Sequence, residues 1–234
     1  MNAQQLSERL TRVASHVPEG SVLADIGSDH AYLPCFLVLK GVAHKAIAGE
    51  VVQGPYDSAR NQVIQENLVD RIQVRLASGM DAVNESDGVT AVTIAGMGGP
   101  LIRTILEQGN ERLSGVKRLI LQPNIHAKSI REWAQRNNWE IIEEEILKEN
   151  NKTYEILVLE PSRIVQQLSE AELLLGPKLI KEQSPIFKEK WEREKDQWNR
   201  IVQSIGMSEQ NHESRGKISE LESKIKLVEE VLNK

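Results

Sequence analysis

The sequence predicts an α/β fold in which helices cover a mostly parallel sheet, followed by a helical hairpin. Between residues 22 and 160, short apolar segments rich in β-branched residues alternate with segments of helical periodicity. That alternation is typical of parallel strands joined by helices. After Pro161 the β-branched runs end, and Glu, Lys, Gln and Leu dominate. We therefore expect a first domain over residues 1–162 and a helical domain over residues 163–234.

The predicted elements of the first domain follow in strand–helix order. Strands are predicted at residues 22–26, 46–49, 71–76, 89–95 and 118–121. Segment 71–76 alternates polar and apolar residues, and the others are mainly apolar. Helices are predicted at residues 32–40, 54–67, 101–108 and 128–137. Segments 139–147 and 153–159 flank a polar connection, which predicts an antiparallel hairpin at the end of the sheet.

The second domain shows the spacing of two packed helices. Apolar residues recur every three or four positions at Ile218, Leu221, Ile225, Val228 and Leu232, and every seven at Trp191, Trp198 and Ile205. Both spacings predict helices with one apolar seam, as in a short coiled coil. The polar stretch 206–216, bracketed by glycines, predicts the turn between them.

Composition limits the class of protein. The chain has 234 residues and a net charge of −5, which argues mildly against a nucleic-acid partner. The single cysteine, Cys35, excludes an internal disulfide and a cysteine-rich metal site, and we expect no metal. The start of the chain is polar, without a signal-peptide core, and no apolar run is long enough to span a bilayer. We expect a cytoplasmic protein with no membrane partner, and a monomer as the working expectation.

The clearest chemical signal follows the first predicted strand, where an acidic, glycine-containing turn runs from Asp25 through Gly27, Ser28 and Asp29 to His30. A strand, a tight turn and a helix place backbone N–H groups at one edge of a sheet, which suits a nucleotide-like ligand. Two aspartates would repel a pyrophosphate but attract sulfonium, ammonium or ribose hydroxyl groups. Neither G-x-G-x-x-G nor G-x-x-x-x-G-K-[ST] occurs. S-adenosylmethionine fits this chemistry; the alternative is an ordinary turn with surface aspartates.

The ends of the second and third predicted strands add candidate ligands. Glu50, followed by Val51, comes just after the second strand, where a carboxylate can accept hydrogen bonds from ribose hydroxyls. Gly79 and Met80 follow the third strand, where the turn could approach a purine. Met80 could equally be a core residue.

The ends of the fourth and fifth predicted strands complete this edge. The fourth ends in Ala95, Gly96, Met97, Gly98 and Gly99, and such a glycine cluster indicates close backbone approach or positive φ. An ordinary strand-to-helix turn is the alternative. The fifth ends in a polar turn containing Pro123 and Asn124. Because the carboxyl ends of parallel strands meet at one edge, we expect all five turns to converge.

Together these motifs resemble a known family. The stretches 25–34 (DIGSDHAYLP), 48–51 (AGEV), 95–99 (AGMGG) and 121–124 (LQPN) are similar to those of the bacterial tRNA (adenine-22)-N1-methyltransferases. The resemblance covers nearly the whole chain, including a helical C-terminal hairpin. It implies a Rossmann-like class I methyltransferase domain, S-adenosylmethionine as the methyl donor, and transfer to N1 of adenine 22 in tRNA.

The site residues are assigned on this basis. We expect S-adenosylmethionine to contact Asp25, Gly27, Ser28, His30, Glu50, Val51, Gly79, Met80, Ala95, Gly96 and Met97. We expect tRNA to contact Arg9, Arg12, Gly98, Pro123 and Asn124. Asp29 is the candidate catalytic residue, because a carboxylate near the amino group of adenine would stabilise the positive charge that develops on the base.

Two other functions stay open at this point. A small-molecule methyltransferase would use the helical hairpin as a lid or dimer element. A non-catalytic relative would have no measurable cofactor affinity. For the hairpin itself, we expect a role in positioning tRNA together with Arg9 and Arg12, with a packing or dimerisation element as the alternative.

Overall fold

The computed structural model describes residues 2–207 and 212–233. The described residues fall into two compact units, divided between Gln166 and Gln167. In the first unit, seven strands within the described residues form one sheet in the order β3-β2-β1-β4-β5-β7-β6. The strands are β1 Ser21–Ile26, β2 Ala43–Glu50, β3 Ile72–Leu76, β4 Ala91–Gly98, β5 Arg118–Ile125, β6 Trp139–Glu149 and β7 Lys152–Pro161. β1 to β5 are parallel, and the β6–β7 hairpin is antiparallel. The predicted fold class is confirmed.

Five helices of at least eight residues accompany this sheet within the described part of the first unit. They are α1 Glu8–Ser15, α2 Tyr32–Leu39, α3 Gln53–Gln65, α4 Gly99–Gln108 and α5 Lys128–Arg136. The sequence analysis did not predict α1. Its eight residues carry few apolar side chains, but Val13 and Ala14 are buried and the Ser7 hydroxyl accepts a hydrogen bond from the N–H of Leu10. Tertiary packing and this N-terminal cap stabilise a helix whose sequence alone signals it weakly.

The predicted ends of three strands were wrong. β4 continues beyond Ala95 to Gly98. Glu50 is the last residue of β2 rather than a residue beyond it. Pro123 and Asn124 do not form a turn, because β5 continues to Ile125 and Pro123 pairs with Met97 of β4. Pro123 is buried within the sheet. The strand therefore delivers Asn124 directly to the carboxyl edge.

The antiparallel hairpin is held to α5 by a buried ion cluster. The Arg131 side chain is 0% exposed, and its Nε lies 2.7 Å from Oε1 of Glu144 on β6. Its Nη2 donates to Oε2 of Glu155 on β7. Charges taken out of water need close, hydrogen-bonded partners. This cluster therefore ties one helix to both strands of the hairpin.

The second unit is helical. It contains α6 Glu170–Leu175, α7 Leu179–Glu182, α8 Pro185–Gly206 and α9 His212–Leu232, and α8 packs against α9. Trp191, Leu221 and Val228 of the predicted seams are buried. The predicted turn was too long: Gly216 lies inside α9, and residues 208–211 lie outside the described residues. Within residues 2–207 and 212–233, no helix has the length and apolar character needed to cross a membrane.

Candidate active site

The sheet order reverses between β1 and β4, and this is where open α/β sheets bind ligands. Asp25 of β1 pairs in register with Thr93 of β4, so the turn after β1 is a neighbour of the glycine-rich end of β4. Gly27 has φ +70°, and a Cβ added there would lie 2.2 Å from Cε of Met97. The backbone conformation favours glycine at this position, whereas the flexible end of the Met97 side chain could move aside.

The Asp25 side chain anchors the turn that follows β1. This side chain is 3% exposed, and its two oxygens accept hydrogen bonds from Ser28 Oγ and Thr93 Oγ1, each at 2.6 Å. Burial raises the pKa of the Asp25 carboxyl, while these hydroxyl hydrogen bonds oppose the shift. The carboxyl group thus joins β1, its turn and β4. Thr93 was not among the predicted residues, since only the register of two separate strands brings it to Asp25.

Glu50 holds the same turn from the side of β2. It is 5% exposed and accepts a hydrogen bond from the N–H of Asp29, while the carbonyl of Gly49 accepts from the N–H groups of Gly27 at 2.9 Å and Ser28 at 3.3 Å. Burial raises the pKa of the Glu50 carboxyl, and the charges of Asp25 and Asp29 raise it further. Among the described residues, the hydrogen bonds to Glu50 involve Oε1 alone.

The turn presents Asp29 and His30 outward. Asp29 has φ +46°, its side chain is 72% exposed, and its Oδ1 lies 3.6 Å from Nε2 of His30. The His30 ring stacks on Tyr32 with centroids 5.2 Å apart. An anchored backbone with exposed side chains places a carboxylate at the surface of the site.

The glycine-rich end of β4, called the Gly96 turn below, is held by β5 and contains a shift in strand register at Gly96. Gly96 has φ +80°; its N–H donates to Gln122 Oε1 at 3.0 Å, and its carbonyl accepts from Asn124 Nδ2 at 2.7 Å. Gln122 is fully buried. It lies in the LQPN stretch at residues 121–124, but it was not among the site residues predicted from the sequence. Ala95, Met97 and Gly98 of this turn are partly buried.

The other residues predicted to bind S-adenosylmethionine differ in burial. Met80 is 2% exposed and packs against Gly109, where an added Cβ would lie 2.2 Å from Met80 Cβ, so its side chain belongs to the core. Gly79, at φ +51°, begins a 3₁₀ turn that ends at Ala82. Val51 is 67% exposed beside Glu50.

The two predicted basic residues of α1 are both engaged within the first unit. Arg9 is half-buried; its guanidinium donates to Gln122 and lies 5.4 Å from the centroid of the Tyr154 ring. Arg12 is exposed, with its Nε 3.5 Å from Oε2 of Glu145 on β6. Their predicted contact with tRNA stays a prediction.

Comparison with known proteins decides the family. The family model described as tRNA (adenine(22)-N(1))-methyltransferase matches residues 23–230. The chain belongs to this family. The B. subtilis (strain 168) tRNA (adenine(22)-N(1))-methyltransferase is 44% identical over 100% of this chain and 99% of its own length. The resemblance inferred from the motifs is confirmed.

Solved structures of tRNA (adenine(22)-N(1))-methyltransferases share the fold. The crystal structure of the B. subtilis m1A22 tRNA methyltransferase TrmK superposes with a TM-score of 0.92, at 43% identity over 97% of this chain and 99% of that one. M. capricolum TrmK, in complex with the cofactor product S-adenosylhomocysteine, gives 0.85 at 25% identity over 97% and 98%.

Proposed function

We propose that this protein is a cytoplasmic enzyme that transfers the methyl group of S-adenosylmethionine to N1 of adenine 22 in tRNA. Membership of the family supports the reaction. The observation that best supports the location of the site is a pair of buried carboxylates, Asp25 and Glu50. They hold a turn with positive φ angles at the point where the strand order of the sheet reverses.

The residues present fit S-adenosylmethionine. Glu50 has one oxygen engaged by Asp29 and a second that can accept from a ribose hydroxyl. Gly27 and Gly96 carry no side chain where the backbone must come close to a ligand, and the acidic turn suits a cationic group rather than a pyrophosphate. When bound, S-adenosylmethionine supplies an already activated methyl group. The protein's main tasks are therefore to orient the reactants and to stabilise the charge that develops on the base.

The chain's own residues supply the electrostatics at the target base. Adenine N1 reacts only when its Watson–Crick edge is free, so the base must be unpaired or flipped. Alkylation at N1 places a positive charge on the base, shared between the ring and its amino group. The exposed Asp29 carboxylate can stabilise that charge, and the Gly96–Gly98 backbone can accept the amino hydrogens.

Asp29→Asn tests this assignment. Asparagine tolerates the positive φ of this position, so the variant removes the charge and keeps the turn. We expect turnover on tRNA to fall at least about tenfold, with a smaller change in S-adenosylmethionine affinity. Radiolabelled methyl transfer followed by nucleoside analysis measures the turnover, and calorimetry measures the affinity for S-adenosylmethionine. Asp70→Asn, at an exposed carboxylate, is the control for charge. Equal loss of both quantities would make Asp29 a cofactor ligand, and unchanged turnover would remove it from the site.

Glu50→Gln and Glu50→Ala test the ribose contact. Glutamine can still accept from the Asp29 N–H, whereas alanine cannot, so we expect the alanine variant to lose more affinity, about 1–3 kcal/mol. The ionised carboxylate is the better acceptor, and the pKa of Glu50 is raised. Affinity of the wild type should therefore fall as pH decreases through that raised pKa, with a shallower slope in Glu50→Gln. Calorimetry at several pH values measures the affinity for S-adenosylmethionine and its pH dependence. Equal affinity in the wild type and both variants would contradict a contact between Glu50 and the ribose.

We further propose that arginine side chains of the second unit contact the phosphate backbone of tRNA. Arg193 and Arg200 are exposed, lie seven residues apart on one face of α8, and have no ion-pair partner among the described residues. Arg193→Glu with Arg200→Glu should weaken tRNA binding and lower its salt dependence by about one unit of slope per lost phosphate contact. The control is Lys45→Glu with Lys117→Glu, at the amino edge of the sheet. Unchanged tRNA affinity in the α8 variant would favour a packing role.

A further inference from the structure

We infer that Arg9 is a positioning residue for methyl transfer, acting through Gln122 on the backbone of Gly96. The inference rests on the proposed function, because it concerns the glycine-rich end of β4 at the proposed site. The alternative role for Arg9 is the contact with tRNA predicted from the sequence.

Gln122 is the link between Arg9 and the turn. Its carbonyl oxygen accepts from the Gly96 N–H at 3.0 Å and from Arg9 Nη1, and its amide nitrogen donates to Asn124 Oδ1 at 3.3 Å. Asn124 in turn donates to the Gly96 carbonyl at 2.7 Å. Both polar groups of the Gly96 residue are thus held by side chains of β5. Since Gln122 is fully buried, water cannot replace a partner that it loses.

Arg9 sets the orientation of the Gln122 amide. If that amide turned over, its NH₂ group would face the Gly96 N–H and the Arg9 guanidinium, so that donors would face donors. A charged donor strengthens the correct orientation, because hydrogen bonds with an ionised partner are the stronger ones. With Arg9 removed, one of the two donors that select this orientation is lost.

Arg9 itself is fixed from two directions. Its guanidinium lies over the Tyr154 ring of β7, a cation–π contact at 5.4 Å. Its helix α1 is tied to β6 by the Glu8 N–H, which donates to Glu149 Oε1 at 2.6 Å. The half-buried guanidinium is therefore held by contacts within the protein. It is well placed to keep the Gly96 turn in one conformation before the substrates arrive.

A double-mutant cycle tests the inference on the full-length protein. Arg9→Met keeps an unbranched apolar side chain and removes the donors, and Gln122→Leu removes the acceptor. We expect Arg9→Met to lower kcat at least about tenfold with little change in the KM for tRNA. In the Gln122→Leu background the same substitution should have little further effect, because residues that act as one unit are not additive. Arg136→Ala, which removes an exposed arginine at the end of α5, is the control for charge.

A second readout does not depend on activity. In the free protein, hydrogen exchange of the Gly96 amide should be faster in Arg9→Met than in wild type, with similar thermal midpoints. A raised KM for tRNA with unchanged kcat, or full additivity in the cycle, would overturn the inference in favour of an RNA contact. Unchanged exchange at Gly96 would overturn it as well. If the wild type does not methylate tRNA, the proposed function fails, and the exchange measurement still decides the link from Arg9 to Gly96.

Discussion

Gly99→Ala is expected to lower methyl transfer by about a hundredfold, the scale of loss that a displacement of about 1 Å in a site can cause. A Cβ at Gly99 would lie 2.1 Å from the carbonyl oxygen of His126 and 3.1 Å from that of Ile125. These are backbone atoms, which cannot rotate away as a side chain can. The end of β5 must therefore move, and with it Asn124, which holds the Gly96 carbonyl.

The matched control for this substitution is Gly54→Ala. Gly54 lies in α3 with no atom within 4 Å of an added Cβ, and its φ is not in the left-handed region. Alanine is the better helix former, so this variant should keep full activity and gain slightly in stability. Steady-state kinetics and thermal unfolding of both variants provide the measurement. Wild-type turnover in Gly99→Ala would mean that β5 can shift without disturbing the site.

Arg131→Met is expected to destabilise the protein by about 3–5 kcal/mol, because it leaves the buried carboxylates of Glu144 and Glu155 without the guanidinium between them. Its cost is in folding, since the cluster joins α5 to both strands of the hairpin. Urea-induced unfolding measures the change in free energy.

A triple variant separates lost charge pairing from lost packing. Arg131→Met combined with Glu144→Leu and Glu155→Leu removes every charge of the cluster, and apolar replacements of buried ion groups are often neutral. We expect this variant to regain most of the stability that Arg131→Met loses. A single variant within about 1 kcal/mol of wild type would show that the carboxylates find other compensation.

Local patterns predicted the sheet well, because the strands are apolar runs or alternate apolar with polar residues, and polar or glycine-rich residues mark their ends. The turn after β1 and the glycine-rich end of β4 were found for this reason. What could not be predicted depends on the pairing of distant strands. Thr93 reaches Asp25 through the register of β1 and β4, and Gln122 reaches Gly96 through that of β4 and β5.

Two other failures have the same physical origin. α1 is stabilised by what it packs on, so its own composition signals it weakly. β5 runs through Pro123 because its pairing with β4 outweighs the local preference of proline for a turn. Arg9 was predicted to contact tRNA, and that contact stays a prediction. Its hydrogen-bond partner Gln122 could not be predicted, because it lies 113 residues away in the sequence.

The order of strands at the far side of the sheet also constrains how the chain folds during synthesis. β7 lies between β5 and β6, although β6 is made first. A nascent chain that ends before Lys152 has no strand through which β6 can join the sheet, and β5 presents an open edge of unpaired backbone groups. The parallel half can assemble from residues 21–125, but closure waits until the whole hairpin has left the ribosome. Pausing within residues 126–151 would prolong exposure of that edge, and with it the opportunity for aggregation.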